Sequence, residues 1–320
     1  MEKREEKPMQ ICVAGVGAVG GLLAAMLGRR YPVNVIARGK RAEALRSRGI
    51  VLHSEFYGEQ TCHPAAVAED GAALGRQDFI IVTVKNYSLD EIAEKIRPAV
   101  GPGTVLLPVL NGVEAGDRLR ALFPEAIVCD ALIYTVTAAN PDYSATQKGS
   151  YSYMFIGSKI REPKNLAAAR KACDLICAAG FDARYSEDIE SEIWQKFVLN
   201  CAFNTVTARY LINTADIRKD PKLQEDLHAL LTETYEMGIR EGIRLPEDLV
   251  EQKFRHVMEK QSATATSSLR RDVEAGRKSE LDTFLGAVLR LAEKHGCSAP
   301  VSARYYQELQ EIENARAYGK

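Results

Sequence analysis

A glycine-spaced turn between a strand and a helix, a succession of short apolar strands separated by helical stretches, and helical patterning almost to the end after residue 187 together predict the fold class. It is α/β: an N-terminal Rossmann-type dinucleotide-binding domain, residues 1–187, followed by an all-helical C-terminal domain, residues 188–320. A chain of 320 residues exceeds what one hydrophobic core ordinarily supports, so two domains are also the expectation from length.

The elements follow in order. Gln10 to Ala14 is short, apolar and rich in β-branched residues, hence a strand. Gly15-Val16-Gly17-Ala18-Val19-Gly20 follows it, and then the helix-like GLLAAMLG. In this GxGxxG the first glycine makes a tight turn, the second admits a pyrophosphate, and the third lets helix and strand pack closely. Phosphate is expected at the helix N-terminus, where unbonded N–H groups and the dipole favour an anion. Ile11 to Gly28 is an uncharged run of 18 residues, long enough to suggest a membrane span. Its glycines and the mixed charges of MEKREEKP ahead of it favour the strand-turn-helix reading instead.

A second strand, Val33 to Ala37, comes at the spacing of a βαβ unit and ends in Arg38, where an NAD-binding chain usually carries an acid for the ribose hydroxyls. Arginine suits a 2′-phosphate, and Lys40 and Arg41 add positive charge, so the expected cofactor is NADPH; a merely solvated basic loop is the plain alternative. Further strands are expected at Gly49 to His53, Asp78 to Val84, Thr104 to Leu107, Ala126 to Tyr134 and Tyr151 to Ile156, in a largely parallel sheet. Ligands bind outside the carboxyl ends of such strands. There VTVKN places Lys85, and LLPVLNGV places Asn111, although an Asn-Gly pair is also an ordinary turn. A helix around Asn165 to Ala179 and a strand from Phe181 to Tyr185 complete this half. The helical half is punctuated at Gly242 to Pro246 and at Gly296 to Pro300.

The stretch SEIWQKFVLNCAFN, Ser191 to Asn204, spaces Lys196, Asn200 and Asn204 four residues apart. On a helix those positions drift by only about 40° per step, so they make one narrow polar stripe on an otherwise apolar cylinder. Buried polar groups need partners, so the stripe faces other polar groups, water or a ligand. By itself it reads first as a structural network, because such networks outnumber catalytic ones. SATATSSLRRDVEAGRKSELDTFLGAV, Ser262 to Val288, offers Ser268 as a neutral donor and Glu280 as a carboxylate. On one straight helix the two are out of phase, which makes Glu280 a surface charge unless Gly276 marks a break.

Composition excludes several classes. Net charge is −1 with both signs mixed throughout, so no nucleic-acid or membrane partner is expected. The five histidines are scattered without ligand spacing, and Cys173 and Cys177 have no matching second pair, so no metal site is expected. Seven cysteines, odd in number and without framework spacing, favour a reducing cytoplasm. No coiled-coil seam is evident, and the oligomeric state is left open, a homodimer included.

A nucleotide-binding half joined to a half offering Lys, Asn, Ser and Glu suggests reduction of a carbonyl: negative charge grows on its oxygen as hydride adds to its carbon, and an ammonium stabilises that charge and gives up a proton. The chain also resembles the ketopantoate reductases (2-dehydropantoate 2-reductases) over nearly its full length. The resemblance rests on GxGxxG, VTVK, LNGV, WQKFVLNCAFN and SSLRRDVEAGRKSELD. It implies NADPH-dependent reduction of a branched 2-oxo acid to its 2-hydroxy acid, with ketopantoate to pantoate, in pantothenate and coenzyme A biosynthesis, as the first candidate. It further implies Lys196 as general acid, Glu280 contacting substrate and lysine, and Asn111, Asn200, Asn204 and Ser268 holding substrate. Lys85 and Asn111 are then beside the cofactor, and the stripe lines a cleft facing the nicotinamide. Two departures stand out: Ala265, where the family often has an amide, and Leu285-Gly286, where it often has Asn-Gly. Both favour a more apolar pocket. Alternatives are a reductase of a less polar 2-oxo acid, a relative of the opine or 3-hydroxyacid dehydrogenases, and a non-enzymatic NADPH sensor.

Overall fold

The structure is a computed structural model that describes residues 9–318. The chain divides into one unit running to Glu190 and another from Ser191 onward. The first unit begins β1 (Ile11–Ala14), α1 (Ala18–Leu27), β2 (Val33–Ile36), α2 (Gly39–Arg48), β3 (Ile50–Ser54), β4 (Gln60–Cys62) and β5 (Ala66–Ala68). It continues with β6 (Phe79–Val82), α3 (Leu89–Ile96), β7 (Val105–Pro108), α4 (Ala115–Leu122) and β8 (Ile127–Val128). It closes with β9 (Asp130–Ala139), β10 (Ala145–Gly157), α5 (Pro163–Ala178) and β11 (Asp182–Tyr185).

Six of these strands form one sheet in the order β5-β2-β1-β6-β7-β8, with every pairing parallel. Successive residues of a strand point to opposite faces, and both faces here are covered. Ile11 and Val13 of β1 join one apolar cluster while Cys12 and Ala14 join another. This double burial is why β1, β2 and β6 are continuous buried runs and do not alternate. Because β2 pairs on one side of β1 and β6 on the other, the strand order reverses at β1, the place where open α/β sheets bind ligands.

The single largely parallel sheet expected from the sequence needs correcting for the later strands. β3, β4, β9, β10 and β11 form a second, mixed sheet, in which β10 pairs parallel to β3 and β11 but antiparallel to β9. The cause is the short connection between β9 and β10: the amide of Asn140 bonds to the carbonyl of Ser144 at 2.9 Å, and so brief a link permits only an antiparallel pair. α1 touches β1 and β2 on one side and β3, β9 and β10 on the other, and its residues from Gly20 to Leu27 are all buried. The uncharged run from Ile11 to Gly28 is therefore core. Among the described residues no helix is long and apolar enough to cross a membrane.

α6 (Ile189–Tyr210) leads into the second unit, which continues with α7 (Thr214–Lys219), α8 (Pro221–Arg240), α9 (Leu249–Arg255), α10 (Ser268–Glu274), α11 (Ala287–Lys294) and α12 (Pro300–Tyr318). α8 packs against α7, α9, α11 and α12, and the core includes Leu227, Leu230, Phe284, Val288 and Tyr305. Buried Asp226 on α8 accepts from Arg304 at 2.6 Å and from the Tyr305 hydroxyl at 2.8 Å, which satisfies the charge and fixes α12. A widened π turn, Asp282–Gly286, sits just before α11. Such turns occur often at functional sites.

Candidate active site

The glycine loop has the steric logic expected of it. Gly15 has φ +98, and a Cβ there would lie 2.6 Å from Cγ1 of Val84. A Cβ on Gly20 would lie 2.1 Å from the Gly15 carbonyl oxygen and 2.5 Å from Oγ1 of Thr83. That hydroxyl donates to the same Gly15 carbonyl at 2.7 Å, so the turn is braced from β6's end. Around Gly17, in contrast, a Cβ would meet nothing within 4 Å. Open space there, directly before the free N–H groups of Ala18, Val19 and Gly20 at the start of α1, fits a pyrophosphate. Val16 is buried, and its carbonyl accepts from Arg41 at 2.5 Å.

Arg38 lies just beyond β2, exposed, and pairs with Glu91 of α3. Lys85 opens the short turn after β6 and is half-buried. The next residue, Asn86, is buried and donates its amide to the Asn111 carbonyl at 2.6 Å, while its own carbonyl accepts from Arg118 at 3.3 Å. Asn86 thus ties the loop after β6 to the loop after β7, and brings the segments of Lys85 and Asn111 to the same edge as Gly15. The sequence reading passed over Asn86. A polar residue between a strand end and the next helix was its only signal.

In the helical unit, α6 carries Lys196, half-buried Asn200 and buried Asn204 as spaced. Burial of the Lys196 ammonium pushes its pKa down and the nearby charge of Glu280 opposes this, leaving it at about 8. Glu280 itself is only 4% exposed, so the surface position drawn from periodicity is corrected. α10 stops at Glu274, Gly276 takes φ 62, and Glu280 sits after the break, outside any straight helix shared with Ser268. Serine placement also carries a surprise. Ser267 is buried and caps α10 by accepting the Arg270 amide at 3.0 Å, and it bonds to Thr207 Oγ1 at 2.8 Å and to the Asn204 carbonyl at 3.3 Å. Ser268 is the first helical residue and keeps partial exposure. Leu285 has no exposed surface, whereas Ala265 keeps some and accepts at its carbonyl from the Thr214 amide at 3.2 Å.

A lysine that is still largely protonated near neutrality but can release its proton, in a chain that also carries a dinucleotide loop, is the equipment of a hydride-transfer enzyme. Comparison with known proteins decides the family. The profile described as "Ketopantoate reductase PanE/ApbA" matches residues 11–159, and "Ketopantoate reductase PanE/ApbA C terminal" matches residues 188–313. The chain belongs to the ketopantoate reductase PanE/ApbA family. It is an oxidoreductase of the 2-dehydropantoate 2-reductase type, and a nicotinamide cofactor goes with that class.

Similar proteins include the oxidoreductase YkpB of Bacillus subtilis (strain 168), 27% identical over 95% of this chain and 99% of that one. The 2-dehydropantoate 2-reductase of Mesorhizobium japonicum is 27% identical over 88% of this chain and 91% of its own. Among solved structures, a PanE/ApbA family ketopantoate reductase from Ralstonia eutropha JMP134 shares the fold with TM-score 0.86 and 24% identity, covering 97% of this chain and 100% of that one. A D-mandelate dehydrogenase solved with NADH and anilino(oxo)acetate shares it with TM-score 0.87 and 19% identity, covering 97% and 99%. Within this PanE/ApbA member, the residues that sequence reasoning missed are the braces: Thr83 under the glycine turn, Asn86 between two loops, and Ser267 with Thr207 under the stripe.

Proposed function

We propose that the protein reduces 2-dehydropantoate to pantoate with NADPH, the reductive step toward pantothenate and coenzyme A. The observation that carries this reading is the buried carboxylate of Glu280 acting on the half-buried Lys196, whose pKa falls to about 8. NADPH supplies the hydride when bound. Lys196 then donates a proton to the carbonyl oxygen as charge develops there, and Glu280 favours the ammonium form against burial. Asn111, Asn200, Asn204 and Ser268 supply neutral amide and hydroxyl groups that suit a carboxylate and a hydroxyl without adding charge. Gly15 to Gly20 hold the pyrophosphate, Arg38 takes the 2′-phosphate, and Lys85 and Asn111 flank the cofactor.

Ala265 favours a second reading, in which the preferred 2-oxo acid is less polar than ketopantoate. A side chain without polar atoms stands where the family often has an amide. Turnover with NADPH across a panel of 2-oxo acids tests both readings: activity on none of them would leave only cofactor binding.

A further inference from the structure

Arg38 is engaged on two nitrogens at once. Nη1 bonds to one carboxylate oxygen of Glu91 and Nη2 reaches the other at 3.4 Å. Glu91 lies in the first turn of α3, the helix that follows β6, while Arg38 follows β2; these two strands flank β1, so both residues stand at the carboxyl edge of the sheet that carries the glycine loop. The neighbouring acid of that turn, Asp90, is occupied elsewhere, with Arg118 at 2.7 Å. Glu91 alone turns toward the arginine.

We propose that Glu91 sets how strongly the protein prefers NADPH over NADH. The inference rests on the reading of Arg38 as the 2′-phosphate ligand. A guanidinium recognises a phosphate through its fork of parallel N–H donors. In this protein that fork is already held by a carboxylate, which neutralises the arginine and repels a dianion. NADPH must displace Glu91 or share the arginine with it, so the phosphate gains less than it would from an unpaired arginine. The unphosphorylated ribose of NADH meets the opposite situation: a carboxylate is the acceptor that NAD-binding chains place at the end of the second strand. Glu91 provides that acceptor from α3, and the pair therefore accommodates both cofactors. The side chains are 72% and 48% exposed, so a cofactor can reach them and the pair contributes little to folding.

The test uses the full chain and calorimetric dissociation constants for NADPH and NADH at one moderate salt concentration, for wild type, Glu91→Gln and Arg38→Gln. Glu91→Gln should tighten NADPH by about tenfold and weaken NADH, widening the ratio, with the melting temperature unchanged. Arg38→Gln should weaken NADPH and move the preference toward NADH. If Glu91→Gln leaves both constants within about twofold of wild type, or weakens both cofactors equally, while Arg38→Gln still acts, Glu91 has no part in selection and the NADPH reading stands. If Arg38→Gln leaves NADPH binding unchanged, the phosphate reading of Arg38 falls and this inference falls with it.

Discussion

Glu280 acts on the charge of Lys196: burial pulls the lysine's pKa down from 10.5, the carboxylate opposes that pull, and the balance of the two is about 8. The ammonium is the working form for reduction, so kcat/KM in that direction should be level at lower pH, halve near pH 8, and fall tenfold per pH unit above it. Oxidation of the 2-hydroxy acid needs the neutral amine and should rise over the same interval. Glu280→Gln removes the raising influence, so the limb should move to lower pH. A pH profile unmoved by that substitution would show that the titrating group is something other than Lys196.

Lys196→Ala should leave the NADPH dissociation constant nearly unchanged while lowering kcat by roughly 10² to 10⁴, the usual range for a positioned acid. Single-turnover kinetics in the reductive direction measures it. Near-normal turnover would make the stripe of Lys196, Asn200 and Asn204 a structural network.

Arg38→Asp should abolish the preference for NADPH. Charge-assisted bonds to a phosphate contribute roughly 1.5 to 3 kcal/mol, or about ten- to hundredfold in affinity. Glu91 already tempers that gain, so the lower end is expected. Dissociation constants for the two cofactors in wild type and variant decide it, and equal wild-type values would reject the assignment.

Two glycine substitutions separate fold from binding. Gly20→Ala drives a Cβ to 2.1 Å from the Gly15 carbonyl oxygen, so it should lower the melting temperature and cofactor affinity together. Gly17→Ala meets no protein atom within 4 Å and should keep the melting temperature while weakening NADPH binding, because the methyl group occupies the space left for pyrophosphate. Calorimetry and thermal melts on the same samples resolve the difference.

The legible parts of this chain were those fixed by local sterics or by a single element. Gly15 and Gly20 announce a turn because a side chain would clash at the close approaches there, and Lys196, Asn200 and Asn204 announce a stripe because they share one helix. Glu280 was illegible for the converse reason. Its phase relative to Ser268 is meaningful only along an unbroken helix, and the chain between them turns at Gly276. The second sheet was hidden similarly, since β3 and β10 meet through pairing between distant segments, which leaves no periodic mark. Ser267 and Ser268 are chemically identical in sequence, and only the cap on α10 tells which one is buried.

The proposed relaxation of substrate choice rests on Ala265, the residue that stands where an amide was expected. A pocket built to hydrogen-bond a hydroxyl rejects analogues lacking it by about 10⁴ or more, because its own polar groups are left unpaired, whereas an apolar pocket discriminates by only about 1 to 3 kcal/mol. The sequence offered Ala265 and Leu285 as two apolar departures. Leu285 has no exposed surface while Ala265 keeps some, so the proposed effect is assigned to Ala265. With Asn200, Asn204 and Ser268 still present, ketopantoate should remain a substrate while the demand for its hydroxyl relaxes. The specificity constants for ketopantoate and for 3,3-dimethyl-2-oxobutanoate, which lacks only that hydroxyl, should therefore differ by roughly tenfold. Restoring an amide through Ala265→Gln should widen the ratio without changing the pH limb set by Lys196 and Glu280. A wild-type ratio above about 10⁴ would mean that the hydroxyl is read in full, and would reject the relaxed pocket.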